Sequence, residues 1–210
     1  MARIKQGILG GFSGKVGPIV GSSWKGIAVM KSKPLSVANP RSSGQVEQRS
    51  RMAGIVILSQ LFLAIIIKPL WDRFAQQMSG YNAFVRTNIG CFVAGVLTNY
   101  ADLVISMGKM AKTVISSVTS ANASANVIIN WTDDSGSGFR TASDESFVYI
   151  LNEQTGGFAI AGPSFNRSTG SLDISLSEPN VTGNTLHVWL AFRRTDGTIV
   201  SDTTYFTKTI

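Results

Sequence analysis

Sixteen residues, Met52 to Ile67, run as an almost unbroken apolar segment, interrupted by Ser59 and Gln60 and closed by Lys68-Pro69. The segment is too long for an ordinary strand and short of the ~20 residues that a membrane-spanning helix needs. It predicts a helix buried on most sides, with a role in lipid as the less favoured alternative. Upstream, Lys33-Pro34 through Asn39-Pro40 reads as an extended connector, because proline pushes the preceding residue out of the helical region. Ser42 with Gln45 has the form of a capping box, so the helix is expected to start there and to tolerate Gly54. Pro69 suits the first turn of a second helix carrying Leu70, Trp71 and Phe74, and a third is expected from about Tyr81 to Val96.

Either side of this helical segment the period changes. Residues 1–35 are punctuated by glycine. Lys15–Val20 and Trp24–Lys31 read as short strands, with Gly21-Ser22-Ser23 as the turn between them. So many glycines predict bulges or a close approach of backbone to a neighbour. After Asp102, Leu103–Ile105 and Thr113–Val118 are strand-like. Short β-prone runs then follow at Val127–Thr132, Phe147–Asn152, Phe158–Ala161, Ser171–Ser175, Thr185–Arg193 and Thr198–Phe206. That rhythm predicts an antiparallel sandwich of the immunoglobulin-like kind. The clearest strand puts Leu186, Val188, Leu190 and Phe192 on one face and His187, Trp189, Ala191 and Arg193 on the other. The fold class expected is α+β, with a basic β arm and connector at 1–40, a helical segment at 41–98 and a β-sandwich at 99–210.

Charge follows the same division. Lys and Arg minus Asp and Glu give 12 − 2 = +10 for residues 1–90 and 5 − 9 = −4 for residues 116–210. Arg3, Lys5, Lys15, Lys25, Lys31, Lys33, Arg41, Arg49 and Arg51 all precede the apolar helix, opposed there by Glu47 alone. Spread along an extended arm, they could follow a phosphate backbone, or they could contact a neighbouring subunit.

The residue inventory points away from catalysis. Gly14-Lys15 is followed by Val16, and Leu9 stands where a phosphate loop needs its first glycine. His187 is the one histidine and Cys91 the one cysteine, so clusters of these ligands cannot form within a chain. Cys91 lies in an apolar stretch and is expected to be a buried, inert thiol. His187 is expected at a solvent-facing or interface position beside Trp189. Asp133-Asp134 and Asp144-Glu145 sit among Ser and Gly and read as turn residues. No continuous apolar core follows the basic N-terminus, so a secretory signal is not expected, which leaves the cytoplasm as the expected setting on this ground alone. No cofactor or metal is expected.

The segments Gly10-Gly11-Phe12-Ser13-Gly14-Lys15-Val16-Gly17, Val20-Gly21-Ser22-Ser23-Trp24-Lys25-Gly26 and Asn39-Pro40-Arg41-Ser42 carry a resemblance, as do Ser79-Gly80-Tyr81-Asn82-Ala83-Phe84 and His187-Val188-Trp189-Leu190-Ala191-Phe192. Through them the chain resembles an uncharacterised family of Bacteroidetes proteins of about this length, which has no assigned activity. Its N-terminal pattern is also similar to that of proteins encoded near phage structural genes, with Ser42 where Thr is usual. The resemblance implies a self-assembling structural protein, most concretely a capsid, connector or tail-associated virion component. It is expected to be a homo-oligomer that meets other virion proteins. Subunit contacts are expected from the arm and from Trp24, Ile55, Leu58, Phe62, Ile65, Ile66 and Trp71. A host nucleic-acid-binding protein using the basic arm, and a surface adhesion module, are the alternatives.

Overall fold

The computed structural model describes residues 3–4, 10–24, 26–36, 39–163 and 165–210. The chain divides into two compact units, Met1–Ser42 and Ser43–Ile210.

The first unit is a four-stranded antiparallel sheet in sequential order, β1 (Arg3–Ile4), β2 (Phe12–Val16), β3 (Ile19–Trp24) and β4 (Ile27–Ser32). The expected turn at Gly21-Ser22-Ser23 is instead the middle of β3. The reversals fall at Gly17-Pro18 and at Gly26, where glycines take φ of +57° and +82°. Glycine in that left-handed region closes a two-residue hairpin without steric cost, and serine does not. Gly21 has a different task. A Cβ there would overlap the carbonyl and ring of Phe12, so a side chain is excluded by close packing inside the sheet.

In the second unit, α1 (Ser43–Phe62) continues through a π-helical turn, Leu63–Ile67, into a last turn, α2 (Lys68–Leu70). Pro69 does not open a separate helix. It lacks the N–H that would reach four residues back, and just before it the ladder widens so that the Lys68 N–H bonds the Leu63 carbonyl. Helix α3 is Gly80–Asn88, with the Ser79 hydroxyl accepting from the Asn82 N–H at 3.3 Å. It ends well before Val96. Phe92–Val93 (β5) and Val96–Leu97 (β6) instead form a hairpin whose two turn residues, Ala94 and Gly95, both have positive φ. This hairpin explains Gly54, because a Cβ there would overlap the Gly95 carbonyl.

Seven further strands make two antiparallel sheets. One has the order β11 (Ser171–Asn180), β8 (Ser124–Trp131), β7 (Ile115–Ser120). The other runs β10 (Phe158–Ala161), β9 (Glu145–Asn152), β12 (Thr185–Arg193), β13 (Thr204–Thr209). Leu103–Ile105 is no strand, although Leu103 and Ile105 are buried. The buried Asn88 amide holds that segment, accepting from the Val104 N–H at 2.8 Å and donating to its carbonyl at 3.0 Å. The last strand starts at Thr204 and not at Thr198. The residues before it bond instead to the chain around Ser106 and Met110, through Thr203 N–H to Ser106 O and Asp202 N–H to Met110 O.

Two cores result. Val148, Ile150, Leu186, Val188, Leu190 and Phe192 pack against Val118, Val127, Ile129 and Leu172 between the sheets. On the reverse of β9 and β12, Phe147, Tyr149, Trp189 and Ala191 pack against Ile55, Phe62, Ile66, Trp71 and Phe84. Phe62 sits edge-on to Tyr149 with ring centroids 4.7 Å apart, and Tyr149 stacks on Trp189 at 5.0 Å. The predicted two-faced strand is therefore β12, and both its faces are core.

Substituting Gly54→Ala should destabilise the protein by about 1–3 kcal/mol, as overpacking does. Ala53→Gly, on the exposed side of the same helix, should cost less, about 1 kcal/mol of helix propensity. Urea unfolding followed by circular dichroism measures both.

Candidate functional site

Among the described residues, two clusters of titratable side chains are buried or half-buried. In the first, the fully buried Arg167 guanidinium meets Asp144 Oδ2 at 3.1 Å and Asp134 Oδ1 at 2.6 Å, and Asp134 Oδ2 also meets Arg140 at 2.6 Å. Thr113 Oγ1 accepts from the same nitrogen, Nη1, that meets Asp134, Met110 Sδ accepts from Nη2, and the guanidinium carbon lies 4.1 Å from the centre of the Phe192 ring. Two cations and two anions balance, and the carboxylates serve to keep a desolvated arginine paired. The expectation that these acids are turn residues holds for the exposed Asp133, which accepts from the Ser135 N–H at 3.0 Å. It holds for Asp144 too, which accepts from the Thr141 N–H at 2.9 Å while pairing with Arg167; Asp134 is instead a partner of Arg167 and Arg140.

The second cluster surrounds His187. The imidazole is buried, not solvent-facing as expected, because the chain before the sandwich covers that side of β12. The Tyr100 ring stacks on it at 3.9 Å. Nδ1 lies 2.7 Å from the Tyr205 hydroxyl and Nε2 3.4 Å from Glu153 Oε2. One tautomer satisfies both contacts, with Nε2–H facing the carboxylate and Nδ1 accepting from the phenol. Burial holds the imidazole pKa below its ordinary 6.5, against the opposing pull of the Glu153 hydrogen bond and charge. Burial likewise pushes the phenols of Tyr205, Tyr100 and Tyr149 upward. Near neutral pH the stack is a set of uncharged rings bonded to a carboxylate, with no lowered-pKa nucleophile in it.

Trp131, Tyr149 and Trp189 are core residues. Trp131 Nε1–H bonds the Arg167 carbonyl and Trp189 Nε1–H the Tyr100 carbonyl. Cys91 is buried, and burial, with the nearby Asp102 charge, raises its thiol pKa, in keeping with an inert thiol. An open cleft between the β7 and β13 edges is lined by Ser116, Ser120, Leu186, Phe206 and Lys208, which offer no acid–base pair. Among the described residues, no group of three His, Cys, Asp or Glu side chains is placed to hold a metal ion.

Exposed apolar and basic side chains lie on the arm and on the outer side of α1. Of the subunit contacts read from the sequence, Ile55, Leu58, Phe62, Ile66 and Trp71 are buried inside the chain and Ile65 is half-buried. They are corrected to core residues: the helix turns this side toward Trp189 and Tyr149. The large apolar side chains left exposed on it and on the turn that follows are Val46, Met52, Ile57, Leu61 and Leu63, with Ile57 70% exposed. Ser43–Leu70 is long and apolar enough to cross a membrane by length and composition, while its inner side is committed to the protein core. Lys15, Lys31, Lys33, Arg41 and Arg49 are exposed, and Arg51 pairs with Glu47 at 2.8 Å. Lys5, Lys25 and the side chains of Arg3 and Trp24 lie outside the described residues.

The class of protein so defined is a mixed α/β chain with several antiparallel sheets, a helical cover on one of them and a separate basic β unit. Residues 11–207 match the DUF6266 family, a family of unknown function, and the chain belongs to it. A comparison with curated proteins found no match.

Because the folded-state pKa of His187 is depressed, the unfolded chain binds more protons as pH falls through 6.5. The stability contributed by the neutral, buried ring is present above that pH and is lost as pH falls below it. Unfolding free energy should therefore decline between pH 7 and pH 5 in the wild type, with a shallower slope in His187→Gln; urea titrations at each pH read this. Arg167→Ala should cost about 3–5 kcal/mol at neutral pH, since it leaves Asp144 buried and unpaired.

Proposed function

We propose that this protein is a non-enzymatic structural component that assembles with copies of itself through its N-terminal sheet and the outer side of α1. The observation that carries the reading is β4. It is an edge strand of the arm sheet, all six of its residues are exposed, and its sequence Ile-Ala-Val-Met-Lys-Ser is strongly β-prone. Ile27 and Met30 are more than 60% exposed, on opposite faces of the sheet. An unpaired apolar edge of this kind is a template for strand addition by another chain, and proteins that stay monomeric protect such edges. Met52, Ile57, Leu61 and Leu63 add a second apolar surface that a partner would cover.

The strand order supports an immunoglobulin-like reading of the C-terminal module. Its first, second and fifth strands form one sheet, and its fourth, third, sixth and seventh form the other. Such modules serve widely as rigid structural units, which suits a phage-type virion component, whether capsid, connector or tail-associated. That assignment rests on the resemblance of the N-terminal glycine and Asn-Pro-Arg-Ser pattern.

Light scattering coupled to size-exclusion chromatography, with electron microscopy of the same fractions, tests the reading. Wild-type protein should elute as a defined oligomer or as larger regular assemblies. Ile27→Lys/Met30→Lys should shift it toward smaller species while leaving its thermal unfolding midpoint near wild type. A wild-type protein that is monomeric across the concentrations tested overturns the proposal.

A further inference from the structure

The net charge of the chain lies wholly in the first unit. Residues 1–42 contain seven Lys and Arg and no Asp or Glu, whereas residues 43–210 contain twelve of each sign. The +7 of the chain is therefore 7 − 0 from the arm and 12 − 12 = 0 from the rest. Among the described lysines of the arm the charge is also one-sided. Lys15 pairs with Val20, and Val20 pairs with Lys31, so both lysines project from one face on alternate strands. Two interstrand steps put them about 10 Å apart. Lys33 follows two residues after Lys31, its N–H bonded to the Pro18 carbonyl at 2.6 Å, which keeps it beside the β2–β3 turn. The other face carries the rows Val16–Ile19–Ser32 and Gly14–Gly21–Met30, without a charge. All three lysines are exposed, and none forms an ion pair among the described residues.

We infer that the Lys15–Lys31–Lys33 face of the arm sheet binds the phosphate backbone of nucleic acid without reading its sequence. A face with several cations and no carboxylate suits a uniform polyanion better than a mixed-charge protein surface. Ile27 and Val29 lie on the lysine face with Lys31, so an anionic lipid surface is the competing occupant, and the vesicle measurement below separates it from nucleic acid. Point-charge lysines, in place of base-reading Arg, Asn or Gln on this face, suit contact with phosphate alone. Lys31 shares β4 and one sheet face with Ile27, so the oligomeric state of the lysine variant is what separates this inference from self-assembly.

Fluorescence anisotropy of the full-length protein with a labelled DNA duplex, titrated across salt concentrations, tests it. Wild type should bind at low salt, with little preference between unrelated sequences, and weaken steeply as salt rises. Lys15→Gln/Lys31→Gln/Lys33→Gln should lower the magnitude of the log–log salt slope by about 3, one counterion contact per lysine. The same variant should keep the wild-type oligomeric state and unfolding midpoint. Lys109→Gln/Lys112→Gln, in the second unit, should leave the slope unchanged. No duplex binding at low salt overturns the inference, as does an unaltered slope in the triple variant. So does binding of phosphatidylserine vesicles by a protein that ignores the duplex.

Discussion

The β9–β12 pair is the element on which the rest of the second unit depends, because it is buried on both faces. Antiparallel sheets commonly leave one face to solvent. Here the inward side chains of β12, Val188, Leu190 and Phe192, close the sandwich, while Trp189 and Ala191 receive the helices. The apolar helix, which would be a liability by itself, acquires a matching surface in Phe147, Tyr149 and Trp189. The sheet in turn is kept dry by Phe62, Ile66 and Trp71. Neither the helical segment nor the sheet presents a finished surface without the other.

That dependence accounts for the buried polar groups. His187 is on the helix-facing side of β12 but near its start, where the cover is Tyr100 and not an aliphatic chain, so a polar ring with two hydrogen-bond partners is accommodated. Asn88 closes the gap between α3 and the extended chain at Val104. Arg167 closes the far end of the sandwich core and brings both of its carboxylates with it. These groups fix geometry within the second unit.

Much of this architecture was legible in the sequence, and the misses share a physical cause. The strands of the sandwich, the helix at 43–62 and the buried thiol follow from periodicity and burial preferences. The arm hairpins were displaced because composition marks Gly-Ser-Ser as a turn, whereas the positive φ actually required was supplied at Gly17 and Gly26. The interface residues on α1 were misassigned because an apolar run does not reveal which of its sides the tertiary fold takes. Ile55 and Ile57 are alike in sequence, and only the position of Trp189 separates them. Nor could Arg167 be read as a core residue, since its partners come from segments more than twenty residues away.

Native-state hydrogen exchange across a denaturant series is the most direct test of the central claim that helices and sandwich form one cooperative structure. If they do, the most protected amides of Ile55–Phe62 and of Val188–Phe192 should open with the same free energy and the same denaturant dependence. Helix amides that exchange through a separate, lower-energy opening while β9 and β12 stay protected would contradict it.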